Sequence, residues 1–213
     1  MTLYIVWRYV LIVMILAAGF LFGRRMKQKQ DRRAMRAVSI TTFALIVLVG
    51  VSFYFPLENL FERFSTAEEA VGYMYGEDIV LSDEGEDSCG MFLQKNKNEA
   101  TYSWVCIPKD ERGYKLPPMI GGITNEKETR SKDGSMQMTI YNVKNSKDTY
   151  VTITTALNRQ VQTAENNINT PVYGTGAELG DTGYVYYIFL SYTQDEPLPY
   201  TLYLDGEEAA VFE

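Results

Sequence analysis

The sequence predicts an α+β membrane protein, with an N-terminal two-helix transmembrane hairpin, then a β-rich domain carrying one short packing helix. Three observations predict it. Two long apolar runs lie within the first fifty-five residues. The charges are sorted by segment rather than mixed. After Gly76 the hydrophobic period changes from that of a helix to that of a strand.

The first run, Leu3 to Phe22, is broken only by Arg8, and the second, Val38 to Phe55, has no charged residue. At about 1.5 Å per residue they span roughly 30 Å and 27 Å, the thickness of a hydrocarbon core. Neither run shows a polar face, which a helix on the surface of a soluble domain needs. Trp7 and Tyr9 mark the start of the first run and Phe53, Tyr54 and Phe55 the end of the second, where amphipathic rings favour the headgroup level. Pro56 follows, where a helix is expected to break. Arg8 is the one charge inside a run. An intramembrane charge is a candidate functional residue, but Arg8 lies about two turns from the helix start, and its expected role is to snorkel to the interface. Gly19 and Gly23 form a small-xxx-small spacing suited to helix packing. A cleaved signal peptide is the rival reading of the first run. It needs a basic segment before the apolar stretch, and here the basic cluster comes after it; Ala17-Ala18-Gly19 is the nearest cleavage candidate.

Between the runs, Gly23 to Ala37 carries Arg24, Arg25, Lys27, Lys29, Arg32, Arg33 and Arg36 against Asp31 alone. From Leu57 onward there are 12 basic and 26 acidic residues. Short basic loops stay cytoplasmic, so the link is expected inside, with the N-terminus and the acidic C-terminal part outside. The seven basic residues are the expected contacts to anionic lipid headgroups. An acidic domain argues against nucleic acid as a partner.

Residues 57–76 read as a juxtamembrane helical segment. Leu57, Leu60, Phe61 and Phe64 continue an apolar helical face. Ser65 and Glu68 fit a capping box, and Ala67, Ala70, Val71 and Met74 form one stripe of a helix expected over Thr66 to Tyr75. In 77–213, Ser88 to Gln94 and Thr101 to Ile107 are expected to pair as a hairpin around Lys95 to Ala100. Pairing Gln94 with Thr101 gathers Cys89, Met91, Leu93, Tyr102, Trp104 and Cys106 on one face. That register makes the two cysteines direct neighbours, so a Cys89–Cys106 disulfide is expected in a domain placed outside, with two buried free thiols as the alternative. A second hairpin joins Met136 to Val143 and Thr149 to Thr155 through Lys144 to Asp148. Tyr184 to Tyr192, apolar on both faces, is expected as a central strand, and Tyr200 to Leu204 as another strand before an Asp205-Gly206 turn. Ile123 to Ser135 reads as a charged connection and Asn158 to Gly183 as loop.

No histidine is present, which removes Ser-His-Asp and Cys-His catalysis and most zinc sites. The acidic run Asp83 to Asp87 lacks the spacing of a calcium loop and reads as a solvated turn. No cofactor or metal is expected. Tyr184, Tyr186, Tyr187, Tyr192, Tyr200 and Tyr203 cluster near the C-terminus. Exposed, they would form an aromatic platform for sugars or a protein partner; the alternative is strand and core packing.

Four short stretches carry a family resemblance: Phe64-Ser65-Thr66-Ala67-Glu68-Glu69-Ala70, Gly85-Glu86-Asp87-Ser88, Gly113-Tyr114-Lys115, and Leu202-Tyr203-Leu204-Asp205-Gly206-Glu207. Together they resemble uncharacterised secreted or membrane-anchored proteins of Gram-positive bacteria, in which a short acidic helix precedes a β domain. The resemblance covers most of the domain after the hairpin and implies a protein of the bacterial cell surface, without supplying catalytic residues. The expected function is a non-enzymatic anchored module with the lipid bilayer and an envelope protein or glycan as partners. The alternatives are an accessory subunit of a transporter or signalling complex acting through the hairpin, and a hydrolase using a carboxylate pair.

Overall fold

Thr2 and Asp31 open the two long helices, α1 (Leu3–Gln28) and α2 (Arg32–Ser52). The computed structural model describes residues 2–29, 31–94, 101–120 and 122–213. Asp31 caps α2 by accepting from the Ala34 amide, and Arg25 and Lys27 sit in the last turn of α1, where the helix dipole favours positive charge. Both helices therefore run well into the basic segment, leaving a link of only about three residues. Both are long and apolar enough to cross a membrane, and only 6% of the apolar window of each is buried. They pack on each other at Gly19, where a Cβ would lie 2.6 Å from Thr42 Oγ1; Gly23 has open space around it.

Beyond α2 the chain makes a 3-10 turn, Leu57–Leu60, then the helix α3 (Ala67–Met74). Thr66, rather than Ser65, is the N-cap: its hydroxyl accepts from the Glu69 amide, and Glu69 reaches back to the Ser65 amide. The capping box is thus present one residue later than expected.

Among the described residues, twelve strands follow in three antiparallel sheets. The first holds β1 (Asp78–Glu84), β2 (Ser88–Gln94), β3 (Tyr102–Asp110) and β4 (Gly113–Tyr114) in chain order. The second holds β5 (Thr124–Arg130), β6 (Gln137–Val143), β7 (Thr149–Leu157), β9 (Tyr173–Glu178) and β10 (Val185–Thr193), ordered β5-β6-β7-β10-β9. The third is β12 (Glu207–Phe212), β11 (Tyr200–Leu204) and β8 (Ala164–Asn166).

The layers stack because alternate side chains of the two larger sheets are apolar on both faces. Cys89, Met91, Leu93 and Ile107 face α3 and the start of α1, where Tyr4 joins the cluster. Phe92, Cys106 and Leu81, on the opposite face, meet Tyr150, Ile188 and Leu190 of the second sheet. The other face of that sheet, with Met138, Ile140, Ile153 and Phe189, packs on Leu202, Leu204 and Phe212 of the third. Moving away from the hairpin, the order is helix, sheet, sheet, sheet.

This stacking corrects the expected β2–β3 register. Gln94 pairs with Tyr102, not Thr101, so Cys89 lies opposite Ile107 and Cys106 opposite Gly90. A one-residue slip sends the two thiols to opposite faces of the sheet. They are free and buried, and the expected disulfide is not formed. The cause is Trp104: its ring lies against Gly90, where a Cβ would be 2.4 Å away, and is stacked on Tyr141 with centroids 4.5 Å apart. The Lys95–Ala100 loop lies outside the described residues.

Two segments expected as connections are strands. Ile123 to Ser135 contains β5, an edge strand whose exposed charges blunt its unpaired side. Asn158 to Gly183 contains β8 and β9. In β9, Gly174 and Gly176 leave room for the rings of Phe189 and Tyr187, which is why this glycine-bearing run pairs as a strand. Tyr184 to Tyr192 is central as expected, between β7 and β9. Leu60 and Phe61 leave the expected helical face and are exposed, while Phe64 bridges to Tyr114.

Candidate functional site

Arg8 and Glu58 meet where the hairpin joins the β-rich domain. Tyr4 and Arg8 are one turn apart on α1, and so share a face; the guanidinium carbon lies 3.5 Å from the Tyr4 ring centroid. Pro56 ends the run of α2, and the 3-10 turn after it points Glu58 back at α1. Arg8 donates from Nη1 to Glu58 Oε1 at 2.8 Å and from Nη2 to Oε2 at 2.9 Å, a bidentate pair. Its remaining donors go to backbone: Nε and Nη2 to Ser52 O at 3.0 and 2.8 Å, and Nη1 to Tyr4 O at 2.8 Å. Ser52 is the last residue of α2, whose end carbonyls lack intrahelical partners. Arg8 therefore caps α2 from the neighbouring helix.

The side chain of Arg8 is 3% exposed. It turns inward instead of snorkelling outward, because an anion and free carbonyls lie within reach. α3 joins the cluster through Tyr73, whose hydroxyl donates to Glu58 Oε1 at 3.1 Å. Burial, reinforced by the Glu58 charge, pushes the Tyr73 phenol up to about 12, so it stays a donor. The rings of Tyr4 and Tyr73 meet edge to face, 6.1 Å apart. One buried ion pair thus ties together α1, α2, the 3-10 turn and α3.

Next to α3 lies an open cavity of about 580 Å³ lined in part by Glu68, Glu84, Cys89, Lys109, Asp110 and Arg112. Two of its carboxylates, Glu84 and Asp110, are committed. Glu84 accepts from Lys109 and from the Tyr114 hydroxyl, and these bonds lower its pKa. Asp110 is held well below the usual range by Arg63 and Lys115. Acids kept ionised in this way are not poised to give up a proton near neutrality. Cys89 at the cavity wall is pushed up to about 12 by burial, as is Cys106 on the other face of the same sheet, so neither is an activated thiol.

Asp148 makes the second buried charge cluster. It accepts from the Asp87 amide at 2.9 Å, the Ser88 hydroxyl at 2.7 Å and the Tyr192 hydroxyl at 2.9 Å, with the Glu86 amide at 3.3 Å. Of the acidic run expected as a turn, Asp83 and Glu84 end β1, and the turn itself, Gly85 to Asp87, is docked on the β6–β7 turn. The backbone amides of Glu86 and Asp87 and the Ser88 and Tyr192 hydroxyls hold the carboxylate.

The six candidate tyrosines do not share a surface. Tyr187 and Tyr200 are buried in the core between the second and third sheets, while Tyr186 and Tyr192 face the first. Alternation along β10 sends neighbours to opposite cores. Tyr203 is half-buried and Tyr184 is exposed. Arg24, Arg25, Lys27, Lys29, Arg32, Arg33 and Arg36 are all exposed, at the end of the hairpin opposite the Arg8–Glu58 pair. Sequence reasoning missed Glu58, Tyr73 and Asp148. Glu58 alone carried a usable signal: it is the nearest acid beyond the second run, at the same end of the hairpin as the lone cation of the apolar runs.

An apolar helical hairpin bonded through a buried ion pair to a three-sheet β domain is the class that fold and junction define. No family model, curated protein or solved structure matches the chain.

Proposed function

We propose that this protein is a non-enzymatic binding module of a bacterial cell envelope, anchored by α1 and α2 as a two-pass membrane hairpin with its β-rich domain outside. The Arg8–Glu58 pair carries this reading. It holds both helix ends beside the acidic domain, and so leaves seven basic residues at the far end of the hairpin. A hairpin with positive charge at one end and a net-acidic domain at the other follows the positive-inside rule with the link in the cytoplasm. The near-complete exposure of the apolar windows fits lipid as their solvent. The bacterial assignment follows the short motifs that resemble Gram-positive surface proteins.

The test uses an impermeant thiol reagent on intact cells, since the native thiols are buried. Glu207→Cys reacts from the medium, and Lys29→Cys reacts only after permeabilisation; the reverse pattern overturns the topology. A photo-crosslinker at the exposed Tyr184 position captures an envelope protein or glycan, and the binding assignment fails if no adduct forms from this or from other exposed positions on the domain.

A second reading, an accessory subunit acting through the hairpin, is favoured by one observation. An apolar groove of about 560 Å³ runs between the helices past Met14, Ala18, Gly19, Phe22, Thr41 and Leu45. Copurification of a membrane partner, lost when Ala18 is made bulky, supports it over the first.

A further inference from the structure

Four large apolar side chains project from the base of the β-rich domain, next to the hairpin. Leu60 and Phe61 are 73% and 77% exposed, and Met119 and Ile120 are 58% and 54% exposed. They come from two segments far apart in sequence, and hydrogen bonds hold the two segments together. Asn59 donates from Nδ2 to Leu116 O at 2.8 Å and accepts from the Leu116 amide at 2.9 Å. The Met119 amide donates to Tyr54 O at 2.9 Å, which ties the second segment to the end of α2. Neighbouring side chains in both segments turn inward: Glu58 to Arg8, Asn59 to Leu116, and Leu116 and Pro117 into buried positions. The apolar tips are thus selectively left outside. They are continuous with Tyr54 and Phe55, also exposed, at the end of the hairpin.

We propose that these two loops dip into the lipid interface beside the hairpin, so that the domain rests on the bilayer at a fixed height and tilt. The inference rests on reading α1 and α2 as membrane-spanning. What commits it to lipid is position: the tips adjoin the point where the apolar hairpin ends. Aromatic and aliphatic side chains of interfacial segments reach about 5–10 Å into the headgroup and acyl boundary. Pro117 and Pro118 stiffen the second segment ahead of its tip.

The test uses the full chain reconstituted in phosphatidylcholine–phosphatidylglycerol vesicles. An environment-sensitive thiol fluorophore is placed at Phe61→Cys, Met119→Cys and Ile120→Cys in separate variants. Val13→Cys, in the middle of α1, and Glu207→Cys, on the exposed β12, serve as references; the parent protein, with buried thiols, sets the background. The expected result is blue-shifted emission at 61, 119 and 120, quenched by a nitroxide lipid labelled near the headgroup and shielded from aqueous iodide. Position 207 shows the opposite pattern, and position 13 is quenched by a nitroxide deep in the acyl chain. Iodide quenching at 61, 119 and 120 equal to that at 207 overturns the proposal, and the spanning reading survives if position 13 is still quenched from within the bilayer. Loss of deep quenching at 13 overturns both. Shielding of the three tips from both iodide and lipid nitroxide overturns the proposal in favour of cover by protein.

Discussion

Replacing Arg8 by alanine is the sharpest test of the junction. The substitution removes both hydrogen bonds to Glu58, the two donors on Ser52 O and the one on Tyr4 O. Glu58 is left mostly buried with, among the described residues, only the Tyr73 hydroxyl as a side-chain donor. Removing one partner of a buried ion pair costs about 3–5 kcal/mol. Glu58 keeps 16% of its side-chain surface, so water compensates part of the loss and the lower end, about 3 kcal/mol, applies. The effect should appear first in α3, which Tyr73 links to Glu58. Hydrogen exchange of the α3 amides in detergent or nanodiscs reads the local opening free energy, and about 3 kcal/mol corresponds to exchange roughly a hundredfold faster. Arg8→Lys keeps the charge but not the two-point geometry and falls between the two. Arg8→Met combined with Glu58→Leu removes both charges, and recovers most of the protection because neither is left unpaired. A double-mutant cycle for Arg8 and Glu58 with coupling near zero, or α3 exchange unchanged in Arg8→Ala, would show that the ion pair does not hold the junction.

The β-rich domain gives four further expected outcomes. Burial raises Asp83 from 3.8 to about 6, so the folded protein favours its neutral form; stability from this group is full below about pH 4 and is lost as pH rises to about 6. Solvent screening of this half-buried side chain reduces the effect to about 1 kcal/mol, so Asp83→Asn should stabilise the protein by that much at pH 7 and not at pH 3, measured by chemical denaturation. Alkylation in denaturant without reductant followed by mass spectrometry should label both Cys89 and Cys106, and reductant should leave the melting temperature unchanged; an unlabelled pair would restore the disulfide and the other register. Asp148→Ala leaves the Asp87 amide and the Ser88 and Tyr192 hydroxyls without their acceptor and should cost about 3 kcal/mol, while Gly90→Ala forces Trp104 and Tyr150 apart at about 1–3 kcal/mol, both read from urea midpoints.

The elements that were legible in the sequence are those whose signal is local. The two apolar runs need only a count of residues, and the helix at α3 needs only its stripe and an acid three residues after a hydroxyl. β10 was legible because a strand buried on both faces has no polar alternation. The misread elements depend on partners distant in the chain. β5 carries mostly polar and charged residues and reads as a connection, until β6 pairs with it along its whole length. β9 reads as loop because of its glycines, and those glycines are explained only by the rings of Tyr187 and Phe189 above them.

The β2–β3 hairpin shows why register in particular resisted. Choosing the pairing that puts every apolar residue on one face assumes that the other face meets water. The first sheet has no such face, because α3 covers one side and the second sheet the other. With both sides apolar, the two registers look alike by composition, and the choice passes to shape: Gly90 is the place on β2 that leaves room for the edge of the Trp104 ring. Arg8 departs from expectation for a related reason. On α1 alone, water is the nearest solvent for a cation, but the carboxylate that turns it inward is fifty residues away in sequence. In both cases burial was decided by the layer packed on top, which neither α1 nor the hairpin encodes by itself.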